Sequence, residues 1–424
     1  MSLPAFPPKT LMIAQSGGPS CAINATLAGA LSAASESDCV QRILGAFHGI
    51  EGVLNENTID LTGFSDFDRL SATPAMALGS CRKKLPEAFS DPIYEEIFHK
   101  LQKENVRWFL YIGGNDSMDT VRRLSEFFAV KKAQEPHLEV PVVFGLPKTI
   151  DNDLSACDHT PGYGSAARYL YQTVQELIRD TAIYAVPSVT IVEVMGRNAG
   201  WLTLAAGLPK FMGGEKPDII AIPEVAFDEK AFIEKIRSLH QHTHSVIAVV
   251  SEGIRSRSGE YVGMENKSGA VDVFGHAYLS GVGKYLELLV KKEIGCKVRS
   301  IELNLMQRCS AHIASKTDID ESFAVGMFGA QQALMGVTGK MAVILREETK
   351  SGYHAIYGCE EIERCANHER LVPEKWYDLE DPKVQQEIVA YIRPLIKGKA
   401  VSFDDEYGTA GFIDWLKFSR QEGR

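Results

Sequence analysis

The 424-residue chain has no apolar run long enough to cross a bilayer. It has no CxxC pair either. Its eight cysteines, Cys21, Cys39, Cys81, Cys157, Cys296, Cys309, Cys359 and Cys365, are scattered. That speaks against a zinc site or a disulfide framework and for reduced thiols in a cytoplasmic protein. Positive charge is not in excess: the formal net charge is −10. Nucleic acid and an anionic membrane are therefore poor main partners, although a local cluster of Lys and Arg can still hold an anion. GxGxxG is missing, and no glycine-rich loop ends in GK[ST], so the dinucleotide and Walker A fingerprints are both absent. No solenoid-length repeat and no low-complexity tract occur. The opening MSLPAFPPKT lacks the basic-then-apolar form of a signal peptide and reads as a short lead into the first strand.

What is present is ordinary in bulk, with 45% hydrophobic and 24% charged residues, so the chain reads as globular. Its length calls for at least two domains. Short apolar runs alternate with amphipathic stretches. Strands are expected at residues 11–14, 41–46, 106–112, 141–146, 188–194, 218–222, 245–250, 297–305 and 340–345. Helices are expected at 22–34, 117–130, 165–180, 198–206, 228–241, 276–291, 322–335 and 382–396. The chain from about residue 351 is less regular. Such alternation predicts an α/β fold with parallel sheets covered by helices on both faces.

Parallel sheets place ligands beyond the carboxyl ends of their strands, and the chemistry-bearing residues collect there. LPKTIDND (146–153) follows an apolar strand and sets Lys148, Thr149, Asp151, Asn152 and Asp153 at its end. The lysine suits an anionic phosphate, and the carboxylates suit a proton or a metal. A plain Asp/Asn turn is the structural alternative. SGGPSCAIN (16–24) and GGNDS (113–117) each put two glycines between a strand and a helix, where backbone N–H groups and the helix dipole can meet a phosphate. Asp116 reads either as a metal ligand or as the N-cap of the next helix. EVMGRN (193–198) offers Arg197, whose planar fork fits phosphate. SEG (251–253) offers Glu252 for sugar hydroxyls, and LMQR (305–308) offers Arg308. GSCRKK (79–84) is a basic cluster beside a glycine.

In order and approximate spacing, SGGPSCAIN, LGSCR, GGNDS, PKTIDND, EVMGR, SEG and LMQR resemble the phosphofructokinase family. AQSGG, GGNDS and QR followed by ASKTD are most similar to its bacterial pyrophosphate-dependent branch. The resemblance implies two Rossmann-like α/β lobes with the active site in the cleft between them. It places the donor-side lobe at residues 1–162 and 316–370, the sugar-phosphate lobe at 163–315, and a C-terminal helical extension at 371–424. It implies Mg2+-dependent, reversible phosphoryl transfer from pyrophosphate to the 1-hydroxyl of fructose 6-phosphate, in a homodimer or homotetramer. Asp151 would be the base, with Lys148 and Arg197 completing the catalytic set. Thr149, Ile150, Asp151, Met195, Gly196, Arg197, Glu252, Leu305 and Arg308 would bind fructose 6-phosphate. Gly18, Arg82 and Lys148 would bind diphosphate, and Asp116 and Asp153 would serve the metal.

Two positions bear on the donor. ATP-dependent members read GGDG and PGTIDND where this chain has Asp116 and Lys148. A carboxylate at 116 would repel the α-phosphate of a nucleotide, and a lysine at 148 would fill its space while adding charge for compact pyrophosphate. Asn115 replaces a metal-binding aspartate of many members, and an amide is the poorer Mg2+ ligand. Ser188 stands where ATP-dependent bacterial enzymes have a phosphate-gripping arginine. His312 is only a loose match to a family histidine. An ATP-dependent enzyme and a non-catalytic sugar-phosphate binder are the competing readings.

Overall fold

The computed structural model describes residues 9–263, 281–350 and 352–415. Among these residues, eleven strands form two sheets. They are β1 (Thr10–Gln15), β2 (Arg42–Ala46), β3 (Thr58–Asp60), β4 (Val106–Gly113), β5 (Val142–Pro147), β6 (Ser188–Val194), β7 (Ile219–Ala221), β8 (Ser245–Ser251), β9 (Lys297–Glu302), β10 (Lys340–Thr349) and β11 (Gly352–Glu361). The first sheet runs β11-β10-β5-β4-β1-β2-β3 and the second β7-β8-β6-β9. The second is parallel throughout. The first is parallel from β10 to β2 but carries an antiparallel strand at each edge, β11 on β10 and β3 on β2.

Every residue of β1 and of β8 is buried. That is why these segments read as unbroken apolar runs: helices cover both faces of a parallel sheet. The helix Pro92–Lys103, not expected from the sequence, is set by Asp91, whose side chain caps Ile93 N, and by Pro92 at its first position. It buries Tyr94, Ile97, Phe98 and Leu101. The irregular tail expected from residue 351 is instead opened by β11, a ten-residue strand that pairs with β10 along its whole length. The helix expected at 276–291 runs Val282–Glu293, and residues 276–280 lie outside the described ones. The helix expected from residue 322 begins at Lys316, capped by the Ser315 side chain on Asp318 N.

The helices Ile23–Ser35 and Lys316–Leu334 lie against each other through glycines. A Cβ on Gly29 would fall 1.9 Å from the Phe323 carbonyl oxygen, and one on Gly326 would fall 2.1 Å from that of Thr26. Gly326→Ala is therefore expected to force the helices apart, a loss of about 1–3 kcal/mol. Urea unfolding should show a lower midpoint at an unchanged slope.

All eight cysteines are free thiols. No helix among the described residues is long and apolar enough to cross a membrane.

Candidate active site

The carboxyl ends of the two sheets face one cleft of about 550 Å³. The first sheet sends Gly17 and Gly18 after β1, Gly114–Ser117 after β4, and Lys148, Thr149, Asp151 and Asp153 after β5. The second sends Met195, Arg197, Asn198 and Ala199 after β6, Glu252 after β8, and Arg308 after β9. Arg82 and Lys84 line it from the GSCRKK segment.

On the first sheet the loops are tied to one another. Lys148 N donates to the Gly113 carbonyl at 2.9 Å, and Ser16 Oγ meets Ser117 Oγ at 2.6 Å. Lys148 is only 3% exposed, and its Nζ donates to the Gly18 carbonyl at 2.6 Å. Gly17 has φ +85°, and a Cβ there would fall 3.3 Å from Lys148 Nζ. Glycine thus leaves the turn its backbone form and the lysine its room. Burial pushes the Lys148 amine down to about 8, although Asp151 and Asp153 pull it back up.

Asp151 and Asp153 each keep a face toward the cleft and are enclosed by protein elsewhere. Burial raises the Asp151 carboxyl above its usual range against the opposing charges of Lys148, Arg197 and Arg308. Burial, then the charges of Asp151 and Glu369, pushes Asp153 up to about 7. Glu252 reaches about 7 through burial and the charge of Asp151, opposed by Arg197. The guanidinium of Arg308 is lowered, by burial first. Asp151 Oδ1, Asp153 Oδ1, Arg197 Nε and Arg308 Nε are buried without a hydrogen-bond partner. Two carboxylate acceptors and two guanidinium donors are therefore left for a ligand.

Asn115 sharpens the picture. With its amide nitrogen toward the carbonyls of Cys365 and His368 it makes two hydrogen bonds, of 3.1 and 3.2 Å. The opposite orientation makes one, of 3.3 Å, to Asp153 Oδ2. The first satisfies more groups, and it turns the amide oxygen toward the Asp153 carboxylate. Facing oxygens of this kind call for a cation or a proton.

On the second sheet Met195 N donates to Gln307 Oε1 at 3.2 Å, so the glutamine of LMQR fixes the MGR loop. Ser251 Oγ donates to the Gly196 carbonyl at 2.6 Å. A Cβ on Gly253 would fall 1.7 Å from the Arg197 carbonyl oxygen, which explains the glycine of SEG.

Most of the expected residues line the cleft, and a few do not. Ile150 is buried in the core. Leu305 is 61% exposed beside the cleft rather than in its lining. Gly196 shapes the turn without lining the cleft, and His312 is exposed on a short 3-10 turn outside it. Asp116 is not an N-cap: Gly114 holds that position, and Asp116 sits in the first turn with Lys84 at 3.4 Å. Sequence reasoning missed Asn367 and Glu369, which line the cleft from the segment after β11. Nothing local in NHER marks them. They arrive because β10 and β11 return to the first sheet.

The ionised carboxylates work against the fold. The folded Asp153 carboxyl, at about 7, lies above its ordinary 3.8. Its stabilising, protonated form is complete below about pH 4 and lost as pH rises through about 7. Asp153→Asn should therefore raise the melting temperature of the ligand-free protein by a few degrees at pH 8 and by much less at pH 5. Melting curves in the presence of a chelator check this.

Two parallel-rich sheets flanked by helices send the loops at their carboxyl ends into one cleft lined by glycines, Lys148, arginines and carboxylates. Residues 10–329 match the phosphofructokinase family model, and the chain belongs to that family. It is 40% identical to the pyrophosphate–fructose 6-phosphate 1-phosphotransferase of Xanthomonas campestris over 92% of each chain. It is 36% identical to that of Methylococcus capsulatus over 91% of each. The fold is similar to a pyrophosphate-dependent phosphofructokinase from Nitrosospira multiformis, with a TM-score of 0.81, 29% identity and 96% of both chains covered.

Proposed function

We infer that the chain transfers a phosphoryl group from pyrophosphate to the 1-hydroxyl of fructose 6-phosphate, reversibly, giving fructose 1,6-bisphosphate and phosphate. The similarity over nine-tenths of the chain supports the reaction. The observation that carries the choice of donor is Lys148, buried where the β1, β4 and β5 loops meet, with Asp116 in the first turn of the helix after β4.

Lys148, Arg82 and the backbone at Gly18 hold the diphosphate. Arg308 grips the 6-phosphate, Glu252 the sugar hydroxyls, and Thr149, Met195 and Gly196 shape the sugar wall with Arg197 beside the transferring group. The 1-oxygen attacks phosphorus, its proton passes to Asp151, and the bridging P–O bond breaks as phosphate leaves. Little covalent work falls to the protein, so positioning and charge neutralisation supply most of the rate.

The Asp153 carboxylate, whose Oδ1 is without a partner and which the amide oxygen of Asn115 faces, suits a hard oxygen-seeking cation such as Mg2+. Asp116 is the second candidate, its charge already engaged by Lys84 at 3.4 Å. Among the described residues no three His, Cys, Asp or Glu side chains form a complete cage. This suits a Mg2+ held largely by substrate phosphates. When bound, it supplies charge neutralisation on those phosphates.

We read the lobes as residues 1–162 with 316–370 and 163–315, followed by the extension 371–424, in a cytoplasmic homodimer or homotetramer. Initial rates of purified protein with fructose 6-phosphate and each donor test the reaction. Turnover is expected with pyrophosphate and not with ATP. The reverse pattern overturns the donor assignment, and binding without turnover by either donor overturns the reaction.

A further inference from the structure

Asn152 stands between the two carboxylates and is fully buried. Its φ is +58°, a left-handed form that a non-glycine residue holds only when its surroundings enforce it. The left-handed residue turns the chain sharply between the two carboxylates: its own side chain points into the protein, while Asp151 and Asp153 on either side of it both line the cleft.

Four contacts hold the turn. Thr160 N donates to Asn152 Oδ1 at 3.1 Å. Asn152 Nδ2 donates to Tyr391 Oη at 2.8 Å. Arg370 Nη1 lies 3.4 Å from the Asn152 carbonyl oxygen, and Arg370 N donates to the Asp153 carbonyl at 2.7 Å. Tyr391 is the hub. Its hydroxyl donates to the Asp158 carbonyl at 2.6 Å and accepts from both guanidinium nitrogens of Arg370 at 3.2 Å. A hydroxyl has one proton and two lone pairs, so Asn152 Nδ2 and the Arg370 fork share the two acceptor sites and no capacity is left over.

The hub is itself rigid. The Arg370 guanidinium lies 4.1 Å above the Trp201 ring, and Trp201 Nε1 donates to the Arg370 carbonyl at 2.9 Å. Trp201 and Trp376 pack on the Tyr391 ring at 5.3 and 5.7 Å between centroids. Trp201 belongs to the helix after β6, and Tyr391 to the helix Pro382–Leu395. Both Arg370 and Tyr391 lie beyond residues 10–329, the span of the family match.

We propose that Tyr391, with Arg370, is a positioning residue for the reaction: its hydroxyl holds Asn152 in the left-handed turn that aims Asp151 and Asp153 into the cleft. The helix Pro382–Leu395 thereby sets the geometry of a loop more than two hundred residues earlier in the chain. The inference rests on the reading of Asp151 as the base.

Tyr391→Phe removes the hydroxyl and keeps the ring. Expected is a kcat lower by about 10- to 100-fold, the scale of an ångström-sized misplacement. KM for both substrates should stay within about threefold, and the melting temperature should fall by a few degrees, because the Asn152 amide and the Asp158 carbonyl lose a buried partner. A kcat within threefold of the parent overturns the proposal, as does a rise in KM alone. Asn152→Gly is the second variant, because glycine takes a positive φ freely while losing both side-chain hydrogen bonds. It should also lose kcat, and full activity in it overturns the proposal even if Tyr391→Phe folds poorly. Amide hydrogen exchange separates this inference from the functional reading. In ligand-free protein, Tyr391→Phe should speed exchange at Asp151–Asp153 by about tenfold or more relative to the helix Ile23–Ser35. Unchanged exchange overturns the clamp whatever the substrates prove to be, whereas faster exchange in a protein that does not use pyrophosphate overturns only the reaction.

Discussion

Asp151→Asn is expected to lower kcat with pyrophosphate by about 10²–10⁴-fold, the usual contribution of a positioned general base, while fructose 6-phosphate should still bind within a few-fold of the parent. The amide keeps the shape of the carboxylate and loses its ability to take the proton of the 1-hydroxyl. The surroundings make this residue the candidate. Burial raises the carboxyl from the ordinary aspartate range, while Lys148, Arg197 and Arg308 hold it back. A base poised closer to neutrality accepts a hydroxyl proton more readily. Rates measured beside calorimetric titration of fructose 6-phosphate separate the two effects. Turnover within tenfold of the parent would remove Asp151 from the mechanism. Loss of sugar-phosphate binding along with activity would instead place its charge in ground-state binding.

Lys148→Gly is expected to lower kcat/KM for pyrophosphate by about 10²–10³-fold, comparable to removing one donor to a developing oxyanion. KM for fructose 6-phosphate should move by less than about threefold. The change withdraws a cation from the donor side and also cuts the 2.6 Å tie to the Gly18 carbonyl. The amine, at about 8, is mostly charged at neutral pH, and the charge is lost as pH rises through that value. Pyrophosphate kcat/KM should therefore fall above about pH 8 in the parent, and that limb should be missing from the variant. Adding Asp116→Gly should weaken pyrophosphate use no further than the loss of its local charge pattern requires, since Asp116 is half-exposed and paired with Lys84. If neither substitution lowers pyrophosphate use, these two residues do not select the donor.

Much of this site is legible in the sequence because its residues are contiguous motifs at strand ends. β6 matches its expected bounds, and β1, β5 and β8 differ only by a residue or two, since buried parallel strands read as apolar blocks. β11 escaped because it alternates exposed and partly buried residues and contains Gly352 and Gly358. Such a strand is defined by its partner rather than by its own hydrophobicity. The helix Pro92–Lys103 does carry local signals, Asp91-Pro92 at its start and the spacing of Tyr94, Ile97, Phe98 and Leu101. Ile150 misled because a motif position was read as a contact, whereas its apolar side chain packs into the core. Glu369 and Asn367 could not be found, because only the return of the β10–β11 pair brings them to the cleft. The same holds for Tyr391 and Arg370, which reach the Asp151–Asp153 loop only through the folded chain.

That return also orders how the molecule is made. The strands of the second sheet come from residues 188–302 without interruption, so its pairing partners leave the ribosome together. The first sheet lacks its last two strands until residues 340–361 have been synthesised. Until then β5, an apolar strand, is an unprotected edge, the kind of surface on which nascent chains mispair. The Lys148–Asp153 loop hangs from the end of that edge. Closing the sheet and completing the cleft are thus one late event in biosynthesis, and a truncated chain ending before β10 has neither.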